Sequence, residues 1–308
     1  MFLMEQQTEN TIVYMADKED DQINIKDILK KKLNLSSRLL ARLKREQSIF
    51  INNSFARYHQ LVNEGDIIKI VMAEEANRFE AENLPFHIEY EDEDIIIVNK
   101  EPGMVTHPTK SHFKGTVANA GQNYLLKEGK DCRIRFVNRL DMDTSGLLII
   151  AKNPYAHHIL SMQMQKDQVE KKYLAFVEGI VKNETDQINA PIYRPTDSSI
   201  ERIIDPRGQE SITNYKVLKR YKKASLVEVQ LLTGRTHQIR VHMKYIGHPL
   251  LGDSLYGQVS DLVNRQALHA SYLKFIQPRY RNIVEVGAEL PKDLVQLEQE
   301  LGAGDTKI

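Results

Sequence analysis

Apolar and polar positions follow two periods along this chain, and the changes of period mark its units. Ile23, Ile28, Leu29 and Leu33 recur at roughly helical spacing. Ser36 or Ser37 stands where a helix cap belongs, and Leu39, Leu40 and Leu43 form an apolar stripe over residues 38–44. Residues 48–52 read as a strand, Asn52-Asn53-Ser54 as a turn, and residues 67–71 as a second strand after Glu64-Gly65-Asp66. Residues 22–72 thus predict helix, helix, strand, turn, strand.

Residues 74–85 lack apolar periodicity, are acidic and end at Pro85, which reads as a linker. Beyond it, apolar runs predict strands over 95–98, 147–151, 173–177, 225–232 and 283–286. Helical spacing predicts helices over 117–126, 155–165, 235–246 and 294–301. Strands and helices do not alternate regularly, which favours an α+β fold over a doubly wound sheet. The expected organisation is a small domain over 15–73, a linker over 74–85 and a larger domain over 86–305.

The 308 residues, 41% hydrophobic, suffice for two cores, and the lack of any run of about 18 apolar residues predicts no membrane span. The first ten residues turn polar without a signal-peptide core, and the single cysteine, Cys132, points to a reducing cytoplasm. A net charge of +0 hides a local asymmetry. Between Lys26 and Arg45 eight basic residues stand against one acid, Asp27. Between Glu74 and Asp94 nine acids stand against one base, Arg78. The basic head is a candidate surface for nucleic acid.

Three segments set unusual polar residues beside apolar strands. Asn138-Arg139-Leu140-Asp141-Met142-Asp143-Thr144-Ser145-Gly146 runs into the strand at 147–151, a setting that holds a carboxylate rigidly from one end. It also reads as an ordinary turn in which Asp143 bonds its own backbone. Tyr173, at the head of a strand, is either a core aromatic or a base-stacking platform. In Thr233-Gly234-Arg235-Thr236-His237-Gln238-Ile239-Arg240-Val241-His242, Thr236 can cap a helix that carries His237 and Arg240 on one face. Arg235 would sit at its N-terminus, a receiver for phosphate or carboxylate or simply a solvated basic face. His237 and His242 are five apart, off the spacing of a helical zinc pair, and no cysteine pair exists. No P-loop, dinucleotide fingerprint or nucleophile elbow is found. The residues predict no metal and no cofactor, although Asp141 and Asp143 leave open a magnesium-dependent phosphodiesterase.

Together these segments resemble the RluA family of pseudouridine synthases. Asn138–Gly146 is similar to the family's His-Arg-Leu-Asp-x-x-Thr-Ser-Gly, with Asn138 in place of histidine. Residues 171–179 are similar to its Lys-x-Tyr-x-Ala-x-Val-x-Gly, and residues 233–242 to its Thr-Gly-Arg-x-His-Gln-Ile-Arg-x-His. Its His-Pro-Leu-x-Gly-Asp-x-x-Tyr-Gly returns over 248–257, with Lys100, Gly103, His107 and Leu268-His269-Ala270 in order around these strings. Residues 22–72 resemble the small RNA-binding module named for ribosomal protein S-four, with Gln47 and Ser54 in place of its usual glycines.

The resemblance implies a mainly antiparallel mixed sheet and a reaction that detaches uracil from its ribose and reattaches it through carbon. That reaction needs no redox cofactor. It implies Asp141 as the essential carboxylate, Arg240 as its cation and Tyr173 as the aromatic against the base. Substrate contacts fall to Arg139, which would help extrude the uridine, and to Thr144, Arg235, His237, Gln238 and His107. In the small module, RNA contacts fall to Lys31, Lys32, Arg38, Arg42, Lys44 and Arg45. The implied partner is RNA, ribosomal or transfer, acted on by a monomer. A noncatalytic RNA-binding protein is the alternative.

Overall fold

The leucine stripe closes the first of two seats of core. The computed structural model describes residues 8–73, 75, 79–109, 112–130 and 132–303. Leu39, Leu40 and Leu43 are buried on one face of helix α1 (Ser37–Arg45), and the Ser36 hydroxyl caps it by accepting from the Leu39 amide. Each buried leucine contributes roughly 1.5–3 kcal/mol. The stripe packs on an antiparallel sheet of β1 (Thr11–Met15), β2 (Ile49–Ile51), β3 (Ser54–Phe55) and β4 (Ile67–Val71), in the order β1-β4-β2-β3. The sheet starts at Thr11, upstream of residue 15, because β1 pairs with β4 far along the chain and no turn announces it. The expected first helix is one α-turn, Ile25–Asp27, running into a π-turn, Ile28–Lys32. Ile25, Ile28, Leu29 and Leu33 share the core, whereas Ile23 is exposed and pairs with Val62.

The second part is a ten-stranded sheet. Its strands are β5 (His87–Glu91), β6 (Ile95–Lys100), β7 (Arg135–Phe136), β8 (Ser145–Ala151), β9 (Glu170–Glu178), β10 (Thr185–Asn189), β11 (Ile212–Arg220), β12 (Ala224–Leu231), β13 (Leu268–Ile276) and β14 (Ile283–Gly287). The order is β10-β11-β12-β9-β13-β8-β6-β5, with β14 on β13 and β7 on β8. All pairs are antiparallel except β8 with β13. The fold is α+β. The helices are α2 (Val117–Lys127), α3 (Pro154–Gln165), α4 (Gln238–Tyr245) and α5 (Lys292–Ala303).

Strand periodicity decides which helix covers which face. Ile95, Ile97, Leu147 and Ile149 meet Ala156 and Leu160 of α3 on one face, and Ile96, Val98, Leu148 and Ile150 meet Val117 and Leu125 of α2 on the other. Strands buried on both faces read as unbroken apolar runs, as β6 and β8 do. Further along, Tyr173, Ala175, Val227 and Val229 meet Ile239 and Met243 of α4, while Phe176 and Leu226 meet Leu294 and Leu297 of α5. The parallel pair at the centre is unusually close. Gly146 has φ +110°, and a Cβ there would lie 2.2 Å from the Ala270 carbonyl oxygen.

The two parts share a buried seam. Tyr155 and Ile159 of α3 belong to the core of the first sheet. Arg279 and Asp94, each 0% exposed, are paired through Nη2–Oδ1 at 2.6 Å, and Arg279 Nη1 donates to the Thr8 and Thr11 carbonyls at 2.9 Å. Glu75 accepts from Arg42 of α1 and from Arg133 and Arg135. Of the expected linker, residues 74 and 76–78 lie outside the described residues. Its later part is fastened to α2, where Asn119 Nδ2 donates to the Glu80 carbonyl at 2.8 Å.

Candidate active site

Asp141 opens a tight turn in front of β8, closed by the Thr144 amide donating to the Asp141 carbonyl at 3.1 Å. The turn is anchored upstream by Asn138. Its Oδ1 accepts from the Ile149 amide at 2.8 Å and its Nδ2 donates to the Leu147 carbonyl at 3.4 Å, so the side chain substitutes for a strand partner along β8. The departure at position 138 therefore braces the strand and leaves the carboxylate in place.

Arg240 comes to Asp141 from α4. Its Nη1 donates to Asp141 Oδ2 at 3.1 Å, while Nε and Nη2 grip Asp253 at 2.7 and 2.8 Å. Burial opposes the Arg240 charge, but Asp253 and then Asp141 outweigh it and hold its pKa above the usual arginine range. Asp253 is 0% exposed and also accepts from the Leu255 and Tyr256 amides. Gly252 permits this seat, since a Cβ there would meet the Arg265 carbonyl at 2.4 Å. The two-toothed pair fixes the guanidinium plane, so the third nitrogen presents one proton to Asp141 in a set direction. Asp141 Oδ1 has no hydrogen-bond partner among the described residues, and the side chain is 28% exposed. One carboxylate oxygen is held, and the other is without a hydrogen bond on a side chain that is partly exposed.

Two more groups close around it. His237 Nε2 stands 3.8 Å from Asp141 Oδ2, and Nδ1 lies 2.9 Å from the Tyr256 hydroxyl, which accepts from the Arg202 amide at 2.7 Å. Burial lowers the His237 pKa, with Asp141 opposing it. Tyr256 also lies under Arg240, ring centroid to guanidinium carbon 5.0 Å. Burial, and secondarily the Asp141 charge, pushes the Tyr173 phenol above its usual range. Its hydroxyl has no partner among the described residues, and the ring packs beside Leu140. Beneath the turn, Lys100 is 2% exposed and donates to the carbonyls of Glu101, Met104 and Met142. Burial presses its pKa down to about 7, against the pull of Asp143.

The residues singled out in the sequence divide accordingly. Asp141, Arg240, His237 and Tyr173 converge. Arg139 is exposed, two residues away, with no bond to another described side chain. Thr144 is 2% exposed and its hydroxyl accepts from Gln266, so it braces the turn from within. Gln238 is likewise spent internally, accepting from Thr233 and the Arg235 amide and donating to the Ile212 carbonyl and the Thr213 hydroxyl. Helix α4 starts at Gln238, not at 235, because His237 takes φ +58° at the N-cap; Thr236 caps nothing. Arg235 is exposed and donates to the Glu210 carbonyl. His107 is exposed near Phe136, ring centroids 6.4 Å apart. Neither bonds Asp141.

In the small module Lys32 is held by Asp17 and Asp20, and Arg42 by Glu46 and Glu75, which withdraws both from the exposed basic face. Lys31, Arg38, Lys44 and Arg45 remain on it, Lys31 beside Asp27. Sequence reading missed Asp253, Tyr256 and Arg265 as site residues. The first two lie within the string at 248–257, whereas no local pattern marks Arg265.

Comparison with known proteins places these features in company. Residues 94–245 match the family model described as RNA pseudouridylate synthase, and residues 15–68 that of the RluD ribosomal pseudouridine synthase N-terminal domain. The chain is 37% identical over 297 residues to the uncharacterized RNA pseudouridine synthase YhcT of Bacillus subtilis, covering 96% of this chain and 98% of that protein. It is 38% identical over 242 residues to ribosomal large subunit pseudouridine synthase D of Haemophilus ducreyi, covering 74% of each. Among solved structures, human RNA pseudouridylate synthase domain containing 1 superposes with a TM-score of 0.57 at 28% identity, over 72% of this chain and 97% of that one.

Proposed function

This chain belongs to the RNA pseudouridylate synthase family, and from that premise we propose that Asp141 carries the reaction on a uridine of large-subunit ribosomal RNA. The protein is an RNA pseudouridine synthase, an isomerase. The observation that supports Asp141 most directly is its divided carboxylate: Oδ2 is tied to Arg240, while Oδ1 has no hydrogen-bond partner among the described residues and the side chain is partly exposed. An ionised carboxylate so held can act as nucleophile or base on an unstacked nucleotide. The N1–C1′ bond of the uridine breaks, the ring turns, and a C5–C1′ bond forms; the proton lost from C5 is balanced by one gained at N1. Tyr173 forms the apolar wall for the base. Arg139, unengaged by other side chains, takes the space the extruded uridine leaves, a move that costs a few kcal/mol in a duplex. The acting unit is taken as the monomer by default, and the composition with one cysteine suits the cytoplasm. Among the described residues no helix is long and apolar enough to cross a membrane.

Ribosomal RNA is favoured over transfer RNA by likeness to proteins named for the large subunit. Mapping pseudouridines in cellular RNA with and without the gene tests this. Loss of one or a few sites in large-subunit RNA is expected. Loss confined to transfer RNA would move the substrate, and an unchanged map in both would overturn the proposal.

Arg240 is expected to act on rate more than on binding. Arg240→Lys keeps a charge near Asp141 and Asp253 but loses the fork, and turnover should fall on the order of 10²-fold. RNA affinity should move little. Arg240→Met is the harsher change, because an unpaired Asp253 in the core costs about 3–5 kcal/mol. If filter binding weakens while kcat stays unchanged, Arg240 is a phosphate contact instead.

A further inference from the structure

We propose that Arg265 is a positioning residue for Asp141, acting through the backbone of the turn that carries it; this rests on the role given to Asp141 above. Each of the three residues after Asp141 is tethered. Lys100 Nζ donates to the Met142 carbonyl at 2.7 Å, Arg265 Nη1 to the Asp143 carbonyl at 2.9 Å, and Gln266 Nε2 to the Thr144 hydroxyl at 3.3 Å. Of these donors Arg265 reaches furthest. The same guanidinium bonds the Gln266 and Leu268 carbonyls and the Ser145 hydroxyl. Through Nε and Nη2 it holds both oxygens of Asp293, in the first turn of α5, at 2.7 and 3.2 Å.

One planar group, 8% exposed, thus joins the catalytic turn, the start of β13 and the C-terminal helix. A rigid fork fixes direction as well as distance, which a single ammonium does not. Among the described residues Arg265 has no bond to Asp141, Arg240, His237 or Tyr173, so its effect must pass through the turn. A misplacement of about 1 Å at a reacting group can cost about 10²-fold in rate. Asp293 sets the Arg265 plane in the way Asp253 sets that of Arg240.

The test measures kcat and KM on one RNA substrate for Arg265→Met, Arg265→Lys and Asp293→Asn, with thermal melts of each. Arg265→Met is expected to lose about 10²-fold in kcat with KM within about twofold. Arg265→Lys should recover only part. Asp293→Asn should lower kcat less, and add nothing to Arg265→Met, since both act through one link. A loss of melting temperature alone, with kcat of the folded protein unchanged, overturns the proposal, as does a loss confined to KM. If Arg265→Met does not fold, Asp293→Asn decides, its carboxylate being 42% exposed, and an unchanged kcat there is equally fatal. Asp141→Asn runs alongside. Activity in that variant would remove the premise, whereas an inactive Asp141→Asn beside a fully active Asp293→Asn and Arg265→Lys would sink the positioning role alone.

Discussion

Asp141→Asn is expected to eliminate turnover, by on the order of 10³-fold or more, equivalent to about 4 kcal/mol of transition-state stabilisation. The amide is nearly isosteric and can still accept from Arg240 Nη1, so the turn and its hydrogen bonds should persist. Arg240 retains Asp253 as its buried counter-ion, so no charge is stranded. What the variant lacks is the negative charge on the carboxylate, whose Oδ1 has no hydrogen-bond partner among the described residues. Tritium release from uridine-labelled RNA, in matched samples with unchanged melting temperature, reports the loss. Turnover within tenfold of the parent would exclude Asp141 as nucleophile or base, whatever the family likeness.

The second large effect is on folding. Removing the N-terminal part through residue 73 is expected to destabilise what remains, not merely to weaken RNA binding. Tyr155 and Ile159 would lose the core they are buried in, and Arg279 would lose two carbonyl acceptors while still locked to Asp94. Re-exposing two large side chains costs roughly 3–6 kcal/mol. For a domain of this size each kcal/mol moves the melting temperature by about 2–4 °C, so a fall of at least about 6 °C follows. Calorimetry of the truncated protein checks it. A melting temperature equal to that of the full chain would show that the seam contributes nothing.

The acidic stretch at 74–85 reads as a linker from sequence, and local patterns do not say what holds it. Charge and missing periodicity mark it as irregular, but not as unattached; the fastening comes from Arg42, Arg135 and Asn119, none of them neighbours in the chain. The same reason separates what was legible elsewhere. β6 and β8 show in sequence because strands covered on both faces are apolar throughout, and α1 shows because its stripe and cap lie within ten residues. β11 does not show, because alternation with exposed polar residues looks like loop until the partner strand is known; β10 is mostly exposed, and β1 is a short apolar run that no turn announces. Asp141, Tyr173 and Arg240 were identified through likeness, and their convergence needed the fold. Thr144 and Gln238 sit in the same strings but are consumed in bracing the backbone, a distinction that only hydrogen-bond partners reveal. Arg265 gave no sign because, beyond the nearby carbonyls of Gln266 and Leu268, its partners come from residues 143, 145 and 293.

The Arg279 seam has a consequence for recognition. Two surfaces joined by a slack cord lose mutual freedom when one RNA spans both, and that loss weakens association. Here the basic face around Arg38 and Arg45 and the carboxylate at 141 are already set at one separation before any RNA arrives, so spanning both carries little further entropic penalty. The same seam would work as a gauge: an RNA whose helix and uridine stand at another interval would meet one surface or the other.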